Sequence, residues 1–369
     1  LIRFYSVIRL QASTHYEKAR RKHDAHPETK TVGISDTRTA ARQTRRTLAL
    51  AASALFFLGS AALAAEGSAG SFPARPVKLI VPFPPGGGTD ILARPLAQRL
   101  GEYWGQPVVI ENRGGAGGNL GAAATAKSAP DGYTLLFTPV ITLAANQALY
   151  KSAGYDAVRD FAAVTMLVST PNILAVPASL PAKTAAEFLE YVRAQPGQLN
   201  FASPGNGTPP HLAMEILERM ADVKITHVPY KGTGPAVTDL IAGRVQAMMV
   251  NAPVALPYIK SGQLRGLATT SAKRPSSAAD LPTLDESGLK GYEADTWYGL
   301  FTPTGTPKPV VDKLNADVVR ALNSPDIKKL YAEQGAEVVG DSPESASARV
   351  RADVIKWRDV INDIGLRVD

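Results

Sequence analysis

The 369-residue chain contains no cysteine. That absence excludes disulfides, a thiol nucleophile, thiolate metal sites and a lipid-anchored cysteine, so stability has to come from core burial. Histidine is also scarce, and only His211 and His227 follow residue 64. With so few ligand side chains, neither a metal nor a cofactor is expected. The Walker spacing, the three-glycine dinucleotide fingerprint and the G-x-S-x-G elbow are missing as well. Ser203 stands in A-S-P-G, where proline occupies the position whose N–H an activated serine would use in its oxyanion hole.

Charge of one sign is lacking from the body of the chain. The 40 Lys+Arg exceed the 33 Asp+Glu, but residues 1–64 hold 11 basic and 4 acidic side chains, which leaves 29 of each sign in the other 305 residues. No general basic field exists there to attract nucleic acid, and none is expected as a partner. The basic segment at residues 42–46 instead precedes an uncharged apolar run at 48–58 and a small-x-small A-L-A at 62–64. Residues 42–64 therefore read as a signal peptide cleaved after Ala64, with a run too short to span a bilayer. Thr44-Arg45-Arg46 leaves open export by the twin-arginine route. Residues 1–41, which lack an initiator Met and any periodic pattern, read as an over-extended start and are expected to be disordered.

What the sequence does contain, from Phe72 onward, is an alternation of short β-rich runs, Gly/Pro-rich turns and amphipathic helical stretches, which indicates α/β architecture with parallel strands. Residues 77–81 predict a strand, and Thr89 or Asp90 should cap the helix that follows, with Pro95 inside it. Further strands are expected at 107–111, 133–137, 199–203, 225–228, 247–250 and 265–269, and the length suits two lobes. A helix at 211–220 should turn Leu212, Ile216, Leu217 and Met220 inward. Helices close the chain at about 309–322 and 343–364. In a doubly wound sheet, ligands bind beyond the carboxyl ends of the strands, the position taken by the turns after Val81, Phe137, Ser203 and Val250.

The strongest motif is P-P-G-G-G-T-D at residues 84–90, between a strand and a helix. Glycines let backbone N–H groups approach a bound group, and a helix N-terminus carries about half a positive charge, which suits an anion. A tight turn with no ligand remains the alternative. S-P-G-N-G-T at 203–208 repeats the logic, and Tyr230-Lys231-Gly232 offers a hydroxyl and an ammonium. Arg113 among its glycines is either a third anion contact or part of a flexible turn. His211 is read as a structural or hydrogen-bonding residue. A rival reading makes the protein a periplasmic enzyme with His211 and Asp90 as its working groups. Trp104, Trp297 and Trp357 read as packing residues, with Trp297 nearest the cleft.

Six stretches carry a family resemblance: P-F-P-P-G-G-G-T-D (82–90), E-N-R-G-G-A-G-G-N (111–119), P-D-G-Y-T-L-L (130–136), S-P-G-N-G-T-P-P-H-L-A (203–213), H-V-P-Y-K-G (227–232) and W-Y-G-L-F-T-P-T-G-T-P (297–307). In this order they resemble the Bug family, the extracytoplasmic solute receptors of tripartite tricarboxylate transporters. The resemblance implies a periplasmic, non-enzymatic receptor of Venus-flytrap fold (type II-like), expected to be a monomer, that delivers a small carboxylate to a membrane permease. It implies two α/β lobes, residues 72–174 with 294–369 and residues 175–293, joined by crossing strands near 174–176 and 294–298. By the same resemblance, ligand contacts are expected at Phe83, Gly87, Gly88, Thr89, Asp90, Thr138, Ser203, Gly207, Thr208, His211, Tyr230, Lys231 and Asn251. Asn251 and Pro139 depart from the family pattern, which leaves the identity of the carboxylate open. A sensory partner that presents ligand to a membrane receptor also remains open.

Overall fold

A computed structural model describes residues 72–368. The expected signal peptide with its cleavage site and the segment 1–41 lie outside the described residues. The chain runs through β1 (Val77–Val81), α1 (Gly88–Trp104), β2 (Val108–Asn112), α2 (Asn119–Ala126), β3 (Thr134–Pro139), α3 (Val140–Leu149) and β4 (Phe161–Thr170). It continues through β5 (Asn172–Pro177), α4 (Ala185–Arg193), β6 (Asn200–Ser203), α5 (Pro209–Ala221), β7 (Thr226–Pro229), α6 (Thr233–Ile241), β8 (Ala247–Asn251), α7 (Ala252–Lys260) and β9 (Leu264–Thr269). It ends with β10 (Thr296–Pro303), α8 (Lys308–Leu322), α9 (Pro325–Glu333), β11 (Glu337–Val338) and α10 (Pro343–Ile364).

Two mixed sheets result, in the orders β11-β4-β10-β3-β1-β2 and β7-β6-β8-β5-β9. β1 is parallel to β2 and β3, and β6 is parallel to β7 and β8. The strands that carry the chain from one sheet to the other, β4, β5 and β10, pair antiparallel with their neighbours. Alternation along each strand feeds two cores. Val77, Leu79 and Val81 pack with Leu92, Leu96 and Leu100 of α1, while Ile80 joins Leu136 and Phe301 on the opposite face. In the second sheet Leu174, Phe201 and Met249 face one layer, and Ile173, Ala202 and Val250 the other.

Several local expectations need correction. The first passage between sheets is at Pro171, not at residues 174–176, which are paired inside β5. The apolar run at residues 164–176 hides the break, which falls at the residue without an N–H to continue a ladder. α1 starts at Gly88, with Gly87 at its N-cap and no side-chain cap; Thr89 and Asp90 already lie in its first turn. Met220 is 37% exposed, because it falls outside the stripe set by Leu217 and Ala221.

Glu218, on the buried side of α5, accepts the Ile225 N–H at 2.6 Å, while its other oxygen is buried without a partner. Burial raises its pKa to about 7, and Glu215 adds to the effect. An acid whose pKa is raised by folding costs nothing below its unfolded value near 4.5 and its full penalty above about 7. That penalty is of the order of 3 kcal/mol. Glu218→Gln is therefore expected to raise the Tm at pH 8 and leave it unchanged at pH 4.5, measured by thermal melts at both values.

Candidate functional site

Seven helices, α1, α2, α3, α5, α6, α7 and α8, begin within seven residues of the carboxyl end of a strand without a side-chain cap on the first turn. Thr184 and Ser342, by contrast, cap α4 and α10. An uncapped first turn keeps its N–H groups and its positive end available. α1 offers the N–H groups of Gly88, Thr89 and Asp90. α5 opens with Pro209 and Pro210, which have no N–H to give, so His211 is its first free donor position. The two helix ends expected to hold an anion symmetrically are therefore unequal.

The first loop is built around Asp90, which is 2% exposed. Its Oδ2 accepts from Gly86 N at 2.9 Å and Arg94 Nε at 2.8 Å, and its Oδ1 from Arg94 and Asn112 Nδ2, each at 2.9 Å. Burial alone would raise this carboxyl, but the bonds from Arg94, Gly86 and Asn112, with the Arg94 charge, hold it below the usual range. With both oxygens occupied, Asp90 shapes the loop and has little left with which to touch a ligand or move a proton. Asn112 also donates to Phe83 O at 3.1 Å and so joins β2 to the loop.

Across the gap, glycines set how close the two sides come. A Cβ on Gly87 would stand 3.2 Å from Thr233 Oγ1, and one on Gly88 would stand 3.0 Å from Asn251 Oδ1. One on Gly232 would meet Pro84 at 2.9 Å, and one on Gly207 would run into Asn146. The Tyr150 hydroxyl donates to Asn206 O at 3.0 Å across the same gap. Asn251 is anchored from behind, donating to Asn172 Oδ1 at 2.7 Å and Thr296 Oγ1 at 3.3 Å. Asn172 in turn donates to Ala294 O, so both passages between the sheets are tied to the wall of the gap.

Under the second loop three rings stack, with His227 between Phe201 at 4.7 Å and His211 at 4.0 Å. His227 Nε2 lies 2.7 Å from Ser203 Oγ, and His211 Nδ1 accepts the Gly207 N–H at 3.1 Å. Burial, then His211 and Lys224, push His227 down to about 3, so it is neutral at ordinary pH and a poor base. Ser203 Oγ is already engaged by Gly205, and the residue is fully buried. The Thr208 hydroxyl donates to Gly205 O at 2.7 Å. These side chains hold the loop in shape.

Phe83, Gly87, Gly88, Gly207 and Asn251 are thus brought to the gap. Tyr230 turns away to Asp239 at 2.8 Å, and Lys231 is exposed. Trp297 packs beneath the Arg349 guanidinium of α10, 4.0 Å from its ring centre, and not at the gap. Thr138 is buried, and its Oγ1 has no partner. The sequence reading missed α3 altogether. Thr142 and Asn146, one turn apart, place buried polar atoms without partners on this side, and Asn119 Nδ2 is a further one. A polar pair spaced i, i+4 in the apolar run 140–149 was the signal available. Among the described residues, no group of three or more His, Asp or Glu side chains is placed to hold a metal ion, and no helix is long and apolar enough to cross a membrane.

A model described as the tripartite tricarboxylate transporter family receptor matches residues 92–366. Protein BugT of Bordetella pertussis (strain Tohama I) is 38% identical over 313 residues, which cover 85% of this chain and 96% of that protein. The solved structure of R. palustris Rpa4515 with adipate aligns with a TM-score of 0.78 at 39% identity, covering 80% of this chain and 99% of that one. MatC from Rhodopseudomonas palustris with bound malate gives a TM-score of 0.75 at 36% identity, covering 79% of this chain and 100% of that one.

Two substitutions separate loop shape from closure. Asp90→Asn is expected to destabilise the protein by about 1–3 kcal/mol at pH 7. Because folding lowers the Asp90 pKa, this contribution exists above the unfolded value of 3.8 and fades as pH falls through the folded value, so the melting curves of variant and wild type should converge in acid. Gly88→Val leaves the helix intact but collides with the anchored Asn251. Small-angle scattering should then show a more open molecule with an unchanged Tm.

Proposed function

The chain belongs to the tripartite tricarboxylate transporter receptor family, and on that premise we propose that it is a periplasmic, monomeric receptor that closes on a small carboxylate and delivers it to a membrane permease. The observation that carries this reading is the uncapped N-terminus of α1, where Gly87 stands beside Thr233 at the start of α6 and Gly88 beside Asn251. Such an end attracts an anion by about 0.3–2 kcal/mol, and each charge-assisted hydrogen bond adds about 1.5–3 kcal/mol. Micromolar affinity needs about 8 kcal/mol, so a carboxylate held by a few of these donors is sufficient.

The proposed ligand contacts are backbone groups of Gly87, Gly88, Thr89 and Asp90, with Phe83, Thr138, Gly207 and Asn251 around them. Ser203, Thr208 and His211 support the second loop from below. The cations nearby do not compete with this scheme: Arg94 is paired to Asp90, and Lys231 lies exposed. Relatives solved with adipate and with malate favour a dicarboxylate of about four to six carbons. The enzyme alternative would rest on His211 and Asp90, and a carboxylate with both oxygens occupied and an imidazole whose Nδ1 already accepts the Gly207 N–H give it little support.

A thermal-shift screen of the exported form against mono-, di- and tricarboxylates, amino acids and neutral sugars tests the reading. A carboxylate at a hundred times its Kd is expected to add about 2.7 kcal/mol of stability. A shift with a sugar and with no carboxylate would overturn it.

A further inference from the structure

Beside the gap, the end of β3 and one face of α3 are polar, buried and incompletely paired. Thr138, Thr142 and Asn146 are 0% exposed, and Thr138 Oγ1, Thr142 Oγ1 and Asn146 Oδ1 have no partner. The Asn146 amide is fixed in orientation, because its Nδ2 donates to Gly117 O at 3.1 Å and to Asn119 Oδ1 at 2.8 Å. Asn119 Oδ1 also receives the Tyr155 hydroxyl at 3.2 Å, so neither amide can flip without losing bonds. Asn146 Oδ1 is thereby turned toward Gly207 on the facing loop, where any Cβ would strike it. One turn earlier, the Thr142 methyl lies 2.9 Å from where a Cβ of Gly118 would stand, at a point 3.2 Å from the Phe83 ring. A group that can only accept and a hydroxyl that can do either therefore lie one turn apart on α3, between Gly118 and the facing loop at Gly207.

We infer that this face is a specificity subsite for an alcohol: the carboxylate ligand proposed above carries a hydroxyl that donates to Asn146 Oδ1 and accepts from Thr142 Oγ1. The inference rests on the carboxylate reading and narrows it to hydroxy acids. A second carboxylate in this place would set its lone pairs against Asn146 Oδ1. A methylene would leave that oxygen buried and unpaired, the situation in which a site built for a hydroxyl rejects the analogue without one. An ammonium would give up its water for neutral partners alone, since Asp90 is saturated by four donors and Glu215 lies against His211.

The test is titration calorimetry with matched acids: propionate and lactate, succinate and malate, glutarate and 2-hydroxyglutarate, with aspartate as the ammonium probe. In a pair that binds, the hydroxylated member is expected to bind at least about tenfold more tightly. Thr142→Val keeps the side-chain volume and breaks no hydrogen bond of the protein. It should narrow that ratio about fivefold, read as a loss of affinity for the hydroxylated acid. Asn146→Leu should abolish the preference. Equal binding within pairs, a ratio untouched by Thr142→Val, or aspartate binding more tightly than malate would each overturn the inference and leave the carboxylate receptor standing. So would failure of all seven probes in a protein that binds another carboxylate in the thermal screen. Failure of every carboxylate there removes both readings.

Discussion

The site depends on one buried carboxylate. Asp90 gathers a loop N–H, an arginine from the next turn of its own helix and an asparagine from the neighbouring strand. With both oxygens occupied, it fixes the path of the glycine-rich loop and the direction in which α1 begins. Removing any one donor would leave a buried charge underpaired, a far larger cost than the bond itself. The rest of the gap is referred to this anchor: Phe83 is placed through Asn112, and Gly88 faces Asn251 at a separation set by where α1 starts.

The two walls do different work. The first-sheet side supplies N–H donors at α1 and polar side chains along α3. The second-sheet side supplies closure, because Pro209 and Pro210 remove the donors with which α5 would otherwise meet an anion. Its loop is held from beneath by a stack of one phenylalanine and two histidines and by the Ser203–His227 bond. Anion selectivity in a body with equal numbers of acidic and basic side chains is then a local matter of oriented dipoles.

Much of the architecture was legible in the chain. Strand β1, the glycine turn after it and the C-terminal helix follow from alternation, turn chemistry and 3.6-residue periodicity, and the order of motifs pointed to the family. Boundaries failed where one apolar run held two elements: β4 passes into β5 through Pro171, and β3 passes directly into α3. Side-chain roles were less readable, since Asp90 at a helix start looks the same whether it meets a ligand or Arg94. In the stretch E-N-R-G-G-A-G-G-N the glycines and Arg113 drew attention, whereas Asn112 and Asn119 make the contacts that shape the site. Partners distant in sequence decided these roles, and periodicity carries no record of them.

The glycines at 87, 88, 207 and 232 also have a meaning beyond backbone freedom. They are spacers of zero length between the two walls, and the width of the gap is written in side chains that are not there. A single methyl at any of them would act as a shim and change how far the molecule can shut. The smallest residues of the site therefore calibrate the size of solute that a fully shut receptor can enclose.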